Sequence, residues 1–201
     1  MLNKTELYGL VLAGGKSTRM GTDKGAITYH NIPQREYLYN LLAQLCSKTY
    51  YSIREDQKKE FSNTTNVIVD ENKFKGPYNG LLSAYNTNSN VAWLIVACDL
   101  PLLDLTALQQ LIKERDNTKL ATAFATKESK LPEPLCAIWE PEALQKSEAY
   151  LNAGNGSCPR KFLINSDCKL VYPEQDKVLL NANSKEEYDV ALQKIEEQLA
   201  K

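Results

Sequence analysis

Short apolar runs recur along the chain and predict a series of β-strands. The strongest run, residues 91–97, is apolar on both faces, as expected of a central strand in a parallel sheet. The remaining runs are shorter and are separated by longer polar or mixed stretches. The predicted strands are residues 7–13, 49–53, 67–70, 91–97, 119–125, 134–139 and 178–180.

Between these runs, apolar residues recur at steps of three and four, which predicts helices. Leu38, Leu41 and Leu42 form one such face after Pro33. The last helix is predicted to begin at Ser184, where a glutamate three residues later completes a capping box. Further helices are predicted to begin near residues 81, 105, 141 and 159. The charged stretch 54–60 is predicted to be a solvated helix or loop, and residues 152–157 are predicted to be a mobile turn.

The order of these elements predicts the fold class. Strands that alternate with helices build layered α/β structures around a sheet that is mainly parallel. We see no internal repeat or linker, and 201 residues suit one domain of ordinary size. The sequence therefore predicts a single α/β domain over residues 1–201, a Rossmann-like three-layer α/β/α structure with a mostly parallel central sheet.

The stretch between the first predicted strand and the first helix has the composition of a phosphate-binding loop. Residues 12–26 read LAGGKSTRMGTDKGA and hold four glycines together with Lys16, Arg19 and Lys24. Glycines allow backbone N–H groups to approach a ligand closely, and cations among such amides favour polyanions such as phosphates. The alternative is a surface loop that happens to be glycine-rich and basic.

Two common phosphate motifs do not fit this loop. Gly15-Lys16-Ser17 resembles the end of a P-loop, but that motif requires a glycine where the chain has Leu10. The dinucleotide fingerprint G-x-G-x-x-G does not occur here either. A different kind of phosphate loop is therefore predicted.

Asp99 is the candidate metal ligand. It follows the strongest predicted strand, so it is expected at the carboxyl edge of the sheet, where open α/β sheets bind their ligands. Mg²⁺ typically takes one or two protein carboxylates together with phosphate oxygens and water. The alternative is that Asp99 only caps the following turn. The nearby phosphate loop favours the metal, because bound phosphates need a counter-ion.

Composition narrows the class of protein. Lys and Arg number 24 against 25 Asp and Glu, and this balance argues against a general nucleic-acid or membrane-surface partner. The N-terminus is polar and does not resemble a signal peptide, and no run approaches the ~20 apolar residues of a membrane span. Five cysteines without a C-x-x-C pair, and the lone His30, fit no familiar zinc site. We expect reduced thiols in a cytoplasmic protein.

The first loop also carries a family resemblance. Its pattern L-A-G-G-x-x-x-R-M-G-x-D-K resembles the signature of Rossmann-like nucleotidyltransferases, and especially that of the molybdenum cofactor guanylyltransferases. Four later stretches are similar to family motifs: Gly76-Pro77-Tyr78-Asn79-Gly80 to G-P-L-x-G, Cys98-Asp99-Leu100-Pro101 to C-D-x-P, Glu133-Pro134-Leu135 to E-P-L, and Asn181-Ala182-Asn183 to N-x-N. Tyr78 and Asn79 depart from the smaller or apolar residues usual in the family.

The resemblance implies a fold of the nucleotide-diphospho-sugar transferase type and an activity. GMP would pass from GTP to the terminal phosphate of molybdopterin, with Mg²⁺ as cofactor and pyrophosphate as the second product. Arg19 would reach the β- and γ-phosphates, Lys24 would stabilise the α-phosphate, and Asp99 would hold the metal; these three are the implied catalytic residues. The implied nucleotide contacts are Leu12, Ala13, Gly14, Gly15, Arg19, Lys24, Asp70, Gly76, Gly80 and Asp99.

The acceptor site rests on the same resemblance, which implies contacts from Asn181, Asn183, Arg160 and Lys161. A phosphate nucleophile is already ionised near neutral pH, so no general base is expected, and His30 is interpreted as a loop residue. Ala-Gly-Gly in the first loop favours the guanylyl group over cytidylyl relatives. Transfer of CMP to molybdopterin, or of a nucleotide to a sugar or polyol phosphate, remains an alternative, as do a regulator without catalysis and a P-loop GTPase. Transient contacts with other cofactor-biosynthesis or acceptor proteins are also expected.

Overall fold

The computed structural model describes residues 5–15 and 24–199, apart from the side chains of residues 24, 198 and 199. Its centre is a seven-stranded sheet with the strand order β3-β2-β1-β4-β6-β5-β7. The strands are β1 (Leu7–Leu12), β2 (Lys48–Ile53), β3 (Val67–Val69), β4 (Ala92–Ala97), β5 (Ala121–Ala125), β6 (Pro132–Trp139) and β7 (Cys168–Val171). Strand β6 is antiparallel to both of its neighbours, and every other pair is parallel.

Helices cover both faces of the sheet. They are α1 (Gln34–Ala43), α2 (Tyr78–Thr87), α3 (Leu105–Lys113), α4 (Pro141–Asn152), α5 (Pro159–Ile164) and α6 (Lys185–Leu199). Leucines of α1 and α3 pack in one apolar core, and residues of α2, α4 and α5 pack in a second. Because side chains alternate along a strand, neighbouring residues of β1 enter different cores, Leu10 the second and Val11 the first. The predicted α/β/α layering and mostly parallel sheet are confirmed.

The helices begin at the proline and capping residues that the sequence contains. Pro33 immediately precedes α1, and Asp104 caps α3 by accepting a hydrogen bond from the backbone N–H of Ala107 at 2.8 Å. The capping box at α6 is confirmed: the Glu187 carboxylate accepts from the backbone N–H of Ser184 at 3.0 Å, and the Ser184 hydroxyl accepts from the N–H of Glu187 at 3.2 Å.

The prediction of the last strand is wrong. Residues 178–180 do not form a strand; Asp176–Leu179 is a 3-10 turn, although Val178 and Leu179 are buried in the first core as the pattern suggested. The seventh strand is instead β7, which lies at the edge of the sheet and pairs with β5. Three apolar residues are too few to distinguish a strand period from a helical one, and the polar Lys169 interrupts the apolar signal of β7.

The direction of β4's neighbours also differs from expectation. The buried run 92–97 is central, as predicted, but it is parallel only to β1 and antiparallel to β6. An antiparallel strand begins at the edge where its neighbours end. The start of β6 therefore lies beside the carboxyl end of β4, and this arrangement contributes to the candidate site.

Candidate active site

A cavity of about 520 Å³ opens at the carboxyl-terminal edge of the sheet, beside the ends of β1, β2, β3 and β4. This is the edge at which open α/β sheets place their ligands. Eight of the ten predicted nucleotide contacts line this one cavity: Leu12, Ala13, Gly14, Gly15, Asp70, Gly76, Gly80 and Asp99. Their assignment as ligand contacts stays a prediction, but their meeting in one cavity is a structural fact.

The other two predicted contacts are the cations. Arg19 lies outside the described residues, and so does the side chain of Lys24. The backbone of Lys24 begins a 3-10 turn, Lys24–Ala26, and the next residue, Gly25, lines the cavity. The main chain thus brings position 24 to the same cavity as Asp99.

The phosphate loop leaves β1 in close contact with β2. The backbone N–H of Ala13 donates to the carbonyl of Ser52 at 2.9 Å, which continues the strand pairing by one residue. Gly14 then passes directly above Asp70, and a Cβ atom at Gly14 would lie 2.8 Å from the Asp70 carboxylate oxygen Oδ2. A larger residue would have to displace that carboxylate, so this close approach requires glycine.

Asp70 places a carboxylate in the cavity wall at the end of β3. Ser52 donates a hydrogen bond from its hydroxyl to Asp70 Oδ1 at 2.6 Å, and the backbone N–H of Asp70 donates to the carbonyl of Ile53 at 2.8 Å. Burial raises the pKa of Asp70 above its ordinary value, although the Ser52 hydrogen bond and the Arg54 guanidinium act in the opposite direction.

Asp99 stands two residues beyond the end of β4 and is half-buried in the cavity wall. Its carbonyl accepts a hydrogen bond from the backbone N–H of Ala182 at 2.9 Å. The pairing of β4 with β6 ends at Val96 and Cys136, so Asp99 follows β4 and Glu133 lies at the start of β6 at the same edge of the sheet. The Asp99 carboxylate contributes to a raised pKa of Glu133, so the residue predicted to bind metal lies near a second acidic residue.

Glu133 is held by an arginine from α5. Arg160 donates from Nη2 to Glu133 Oε2 at 2.5 Å and from Nε to the carbonyl of Pro132 at 3.1 Å. Burial, with a smaller contribution from the Asp99 carboxylate, raises the pKa of Glu133, and Arg160 opposes this rise. Asp99, Glu133 and Arg160 thus form a connected set of charges along the edge of the cavity.

The four predicted acceptor contacts lie beside the main cavity rather than in its lining, as far as the described residues define it. Asn181 and Asn183 flank Ala182, whose N–H binds the main chain of Asp99. Arg160 binds Glu133, which lies near Asp99, while Lys161, the next residue of α5, is exposed. The asparagines and Arg160 are therefore close in the fold to Asp99, and their contact with an acceptor stays a prediction.

Several cavity residues were missed by the sequence analysis. Ser52, Arg54, Asn72 and Asn79 all line it, and Asn79 donates from Nδ2 to Asn72 Oδ1 at 3.3 Å. The carboxamide oxygen of Asn79 has no hydrogen-bond partner within the described part of the chain. Asn79 stood inside a noted motif, which was the available signal, whereas Ser52 ends an apolar strand and gave none.

The prediction that residues 54–60 form a solvated segment is correct for most positions but wrong at two. The segment contains a 3-10 turn, Glu55–Glu60, most of which is exposed. Gln57 is buried, and its Nε2 donates to the carbonyl of Ala13 at 3.1 Å. Arg54 is half-buried and donates from Nη1 to the carbonyl of Gly14 at 2.9 Å. Both side chains reach the phosphate loop.

His30 is a structural residue of the loop before α1. Its Nε2 lies 2.9 Å from the carbonyl oxygen of Pro101, and its ring stacks on Tyr37 with centroids 3.7 Å apart. None of the five cysteines, all of which lie in the described ranges, forms a disulfide. No group of three or more His, Cys, Asp and Glu side chains is arranged to hold a metal among the described residues, and no described helix is long and apolar enough to span a membrane.

Comparisons with known proteins show the family to which the chain is similar. Residues 9–168 match the MobA-like NTP transferase domain. A molybdenum cofactor biosynthesis bifunctional protein from Synechocystis sp. is 38% identical over 188 residues, which cover 93% of this chain and 54% of that protein. The chain thus spans about half the length of this relative. A probable molybdenum cofactor guanylyltransferase from Nostoc sp. is 27% identical over 187 residues, covering 92% of this chain and 89% of the relative.

A solved structure supports the fold independently. Molybdopterin-guanine dinucleotide biosynthesis protein A from Archaeoglobus fulgidus superposes with a TM-score of 0.77 at 19% identity, covering 94% of this chain and 99% of that one. At this identity the likeness concerns the fold alone. The match over residues 9–168 takes in the phosphate loop, Asp70, Asp99 and Glu133. This chain belongs to the MobA-like NTP transferase family.

Proposed function

We propose that this chain transfers GMP from GTP to the terminal phosphate of molybdopterin, with Mg²⁺ as cofactor and release of pyrophosphate. The observation that carries the proposal is the convergence of eight predicted nucleotide contacts, Asp99 among them, on one cavity at the carboxyl edge of the sheet. The names of the relatives supply the substrates: several are molybdenum cofactor guanylyltransferases.

The chemistry requires little beyond positioning and charge. An oxygen of the acceptor phosphate attacks the α-phosphorus of GTP, a new P–O–P linkage forms, and the bond to the β-phosphate breaks so that pyrophosphate leaves with the electron pair. The attacking phosphate is ionised at neutral pH, so no proton needs to be removed. Rate acceleration then comes from holding the two phosphates in line and from stabilising the charge that develops on their oxygens.

Different residues of the chain would bind the triphosphate, stabilise the charge during transfer and orient the acceptor. The loop after β1 would bind the triphosphate through backbone N–H groups near Gly14 and Gly15, assisted by Arg19. Lys24 would stabilise the α-phosphate during the transfer, which fits the position of Gly25 in the cavity wall. Asn181 and Asn183, with Arg160 and Lys161, would orient the acceptor phosphate from the side of Asp99.

The donor set at Asp99 fits Mg²⁺. This ion usually binds proteins through one or two carboxylates and completes its coordination with phosphate oxygens and water, so a larger protein cluster is not required. Asp99 provides a half-buried carboxylate at the cavity. When bound, Mg²⁺ would supply positive charge to the reacting phosphate oxygens. Glu133 is paired with Arg160, and Asp99 is the residue that we propose to hold the ion.

We propose that the guanine base of GTP binds at the end of the cavity that is formed by the turn into α2. Asn79 there carries a carboxamide oxygen without a hydrogen-bond partner among the described residues. Buried acceptors of this kind are normally satisfied. The oxygen is covered by its neighbours, so we propose that the Asn79 side chain rotates to accept from the N1–H and N2–H groups of guanine. The Ala13-Gly14-Gly15 sequence, which resembles the guanylyl group, supports the same choice of base.

We further propose that the reaction takes place in the cytoplasm and that other cofactor-biosynthesis or acceptor proteins bind transiently to the chain. The five cysteines form no disulfide, which supports a reducing compartment. The bifunctional relative supports association with other proteins, because it joins a region similar to this chain to further sequence of about the same length.

The test is release of pyrophosphate by the purified chain, supplied with molybdopterin or its molybdenum-loaded form, in parallel reactions with GTP, CTP and ATP. We expect release with GTP that depends on both the acceptor and Mg²⁺ and stops when EDTA is added. Release with CTP alone would replace the guanylyl assignment by the cytidylyl one. Hydrolysis of GTP to GDP without an acceptor would indicate a GTPase instead.

A further inference from the structure

We propose that Gln57 and Arg54 are positioning residues that orient the backbone of the phosphate loop toward the triphosphate. The inference rests on the proposed nucleotide site and adds two side chains from outside the loop. Both belong to the segment after β2, and both bind carbonyl groups of the loop, those of Ala13 and Gly14. We refer to the pair as the carbonyl clamp.

Gln57 is placed for this role by hydrogen bonds at both ends of its carboxamide. Nε2 donates to the carbonyl of Ala13 at 3.1 Å, and Oε1 accepts from the backbone N–H of Arg54 at 2.9 Å. The second bond fixes which end of the carboxamide faces the loop. Only 1% of the residue is exposed, whereas the other five residues of the Glu55–Glu60 turn are exposed. The Oε1 bond caps the start of this turn, and the Nε2 bond is the one that reaches the loop.

Arg54 completes the clamp. Its Nη1 donates to the carbonyl of Gly14 at 2.9 Å, and the guanidinium plane is held from the other side by Asp56, with Nε to Oδ1 at 3.0 Å and Nη2 to Oδ2 at 3.3 Å. Such a two-point contact fixes the orientation of a guanidinium as well as its position. The clamp therefore binds two successive loop carbonyls with two side chains, each of which has a second contact that orients it.

The orientation of the loop amides follows from peptide geometry. In a trans peptide the carbonyl and the following N–H point in opposite directions. With the Ala13 and Gly14 carbonyls directed at the clamp, the N–H groups of Gly14 and Gly15 point away from it. Neither N–H has a hydrogen-bond partner within residues 5–15 and 24–199, and both residues line the cavity. Successive free amides of this kind form an anion site.

The experiment compares ligands that contain or lack phosphates. Calorimetry would measure the binding of inorganic triphosphate, GTP and guanosine to the wild type, to Gln57→Met and to Gln57→Glu. Gln57→Met removes the donor at nearly constant volume, and Gln57→Glu keeps the acceptor for Arg54 but replaces the donor by a charged oxygen. We expect each variant to bind triphosphate and GTP at least about tenfold more weakly, with guanosine binding changed less than about twofold.

Two controls separate positioning from charge and from loss of structure. Lys58→Gln changes the net charge by the same amount as Gln57→Glu, at an exposed neighbour outside the clamp, and should keep most of the triphosphate affinity. Thermal unfolding would show that the variants fold. If one Gln57 variant does not fold, the other decides the question.

Three results would overturn the proposal: unchanged triphosphate binding in the Gln57 variants, equal losses for guanosine and triphosphate, or an equal loss in Lys58→Gln. Failure of the proposed function is distinguishable, because inorganic triphosphate carries neither base nor acceptor. If triphosphate binding depends on Gln57 but the wild-type chain does not transfer GMP, the proposed function is wrong and the clamp proposal stands.

Discussion

Asp70 is a residue whose charge conflicts with its surroundings. Its carboxylate lies in the cavity wall under Gly14, and burial raises its pKa. In the window between its ordinary pKa and this raised value, the folded chain binds more protons than the unfolded chain, so stability falls as pH rises through the window. The cost is present in full above the raised pKa and is absent at pH values below the ordinary one.

Asp70→Asn should therefore stabilise the fold at neutral pH. Asparagine removes the charge and keeps an oxygen that can accept the Ser52 hydrogen bond. The gain in urea midpoint over the wild type should be larger at about pH 8 than at about pH 4. The same variant should bind GTP more weakly if Asp70 contacts the nucleotide. An equal midpoint difference at both pH values would show that ionisation of Asp70 is not responsible.

Lys24→Ala and Asp99→Ala should each reduce turnover by about a hundredfold or more, since each removes one preorganised charge from the site. Asp99 and Gly25, the residue after Lys24, both line the cavity, so thermal midpoints should stay near that of the wild type. The measurement is the initial rate of pyrophosphate release with GTP and acceptor. Near-normal turnover in either variant would mean that the site is misassigned. Lys113→Ala, at the end of α3 and outside the cavity lining, provides the comparison.

Among single residues, the positions that could best be predicted from the sequence are those that belong to a motif. Gly14 and Asp99 could be placed at the cavity because each follows closely on a strand, and parallel strands end at one edge. Gln57 could not be placed, because nothing in a charged stretch distinguishes a polar residue that turns inward from its exposed neighbours. Its burial depends on where the phosphate loop passes, which is a long-range contact.

Among the elements, helix α2 shows how closely a helix can approach the sheet edge. Gly80, in its first turn, lies against the ends of β1 and β2. A Cβ atom there would overlap the Ser52 hydroxyl and would come within 2.8 Å of Leu12 Cδ2. The glycine thus sets the distance between α2 and the strands, and with it the shape of the base end of the cavity.

Gly80→Ala should destabilise the fold by about 1–3 kcal/mol, because the added methyl group has to displace well-packed neighbours. Gly15→Ala is the matched control, since a Cβ atom added at Gly15 would meet no described atom within 4 Å. Its free energy of unfolding should change by no more than about 0.5 kcal/mol. Urea unfolding of the two variants measures both values. Equal effects would show that the close contact at Gly80 is relieved without cost.

Secondary structure was predictable wherever a run was long enough to show its period. The leucine face of α1 and the buried run of β4 are of that kind. The run 178–180 was too short to show a period. Strand β7 was not predicted because the polar Lys169 interrupts its apolar pattern; the ammonium group of Lys169 donates to the carbonyl of Glu114 at 2.6 Å. The antiparallel direction of β6 could not be predicted either, because an apolar pattern reads the same in both directions.

For the whole molecule, one buried ion pair joins segments that are distant in sequence. Arg115, after α3, binds Glu140, before α4, through Nε to Oε1 at 2.7 Å and Nη2 to Oε2 at 2.8 Å. Arg115 also donates from Nη1 to the carbonyl of Thr5 at 2.9 Å, ahead of β1. Only 1% of the arginine side chain and 6% of the glutamate side chain are exposed.

Glu140→Gln should destabilise the chain by about 3–5 kcal/mol, because it leaves a buried guanidinium without its counter-charge. The measurement is chemical unfolding, and nucleotide affinity of the folded fraction should be unchanged since neither partner lines the cavity. The double variant Arg115→Met with Glu140→Gln should lose less than the sum of the two single losses. A strictly additive result would mean that the two groups do not interact in the folded chain.

The reversed direction of β6 has a consequence for how the site can diversify. The hairpin between β5 and β6, residues 126–131, is mostly exposed and leads directly to Glu133, near Asp99. Surface turns tolerate insertions at small thermodynamic cost when both flanking strands are anchored. Exchanging this hairpin would therefore alter the surface beside the proposed acceptor site, while the strands, the phosphate loop and the two cores stay as they are.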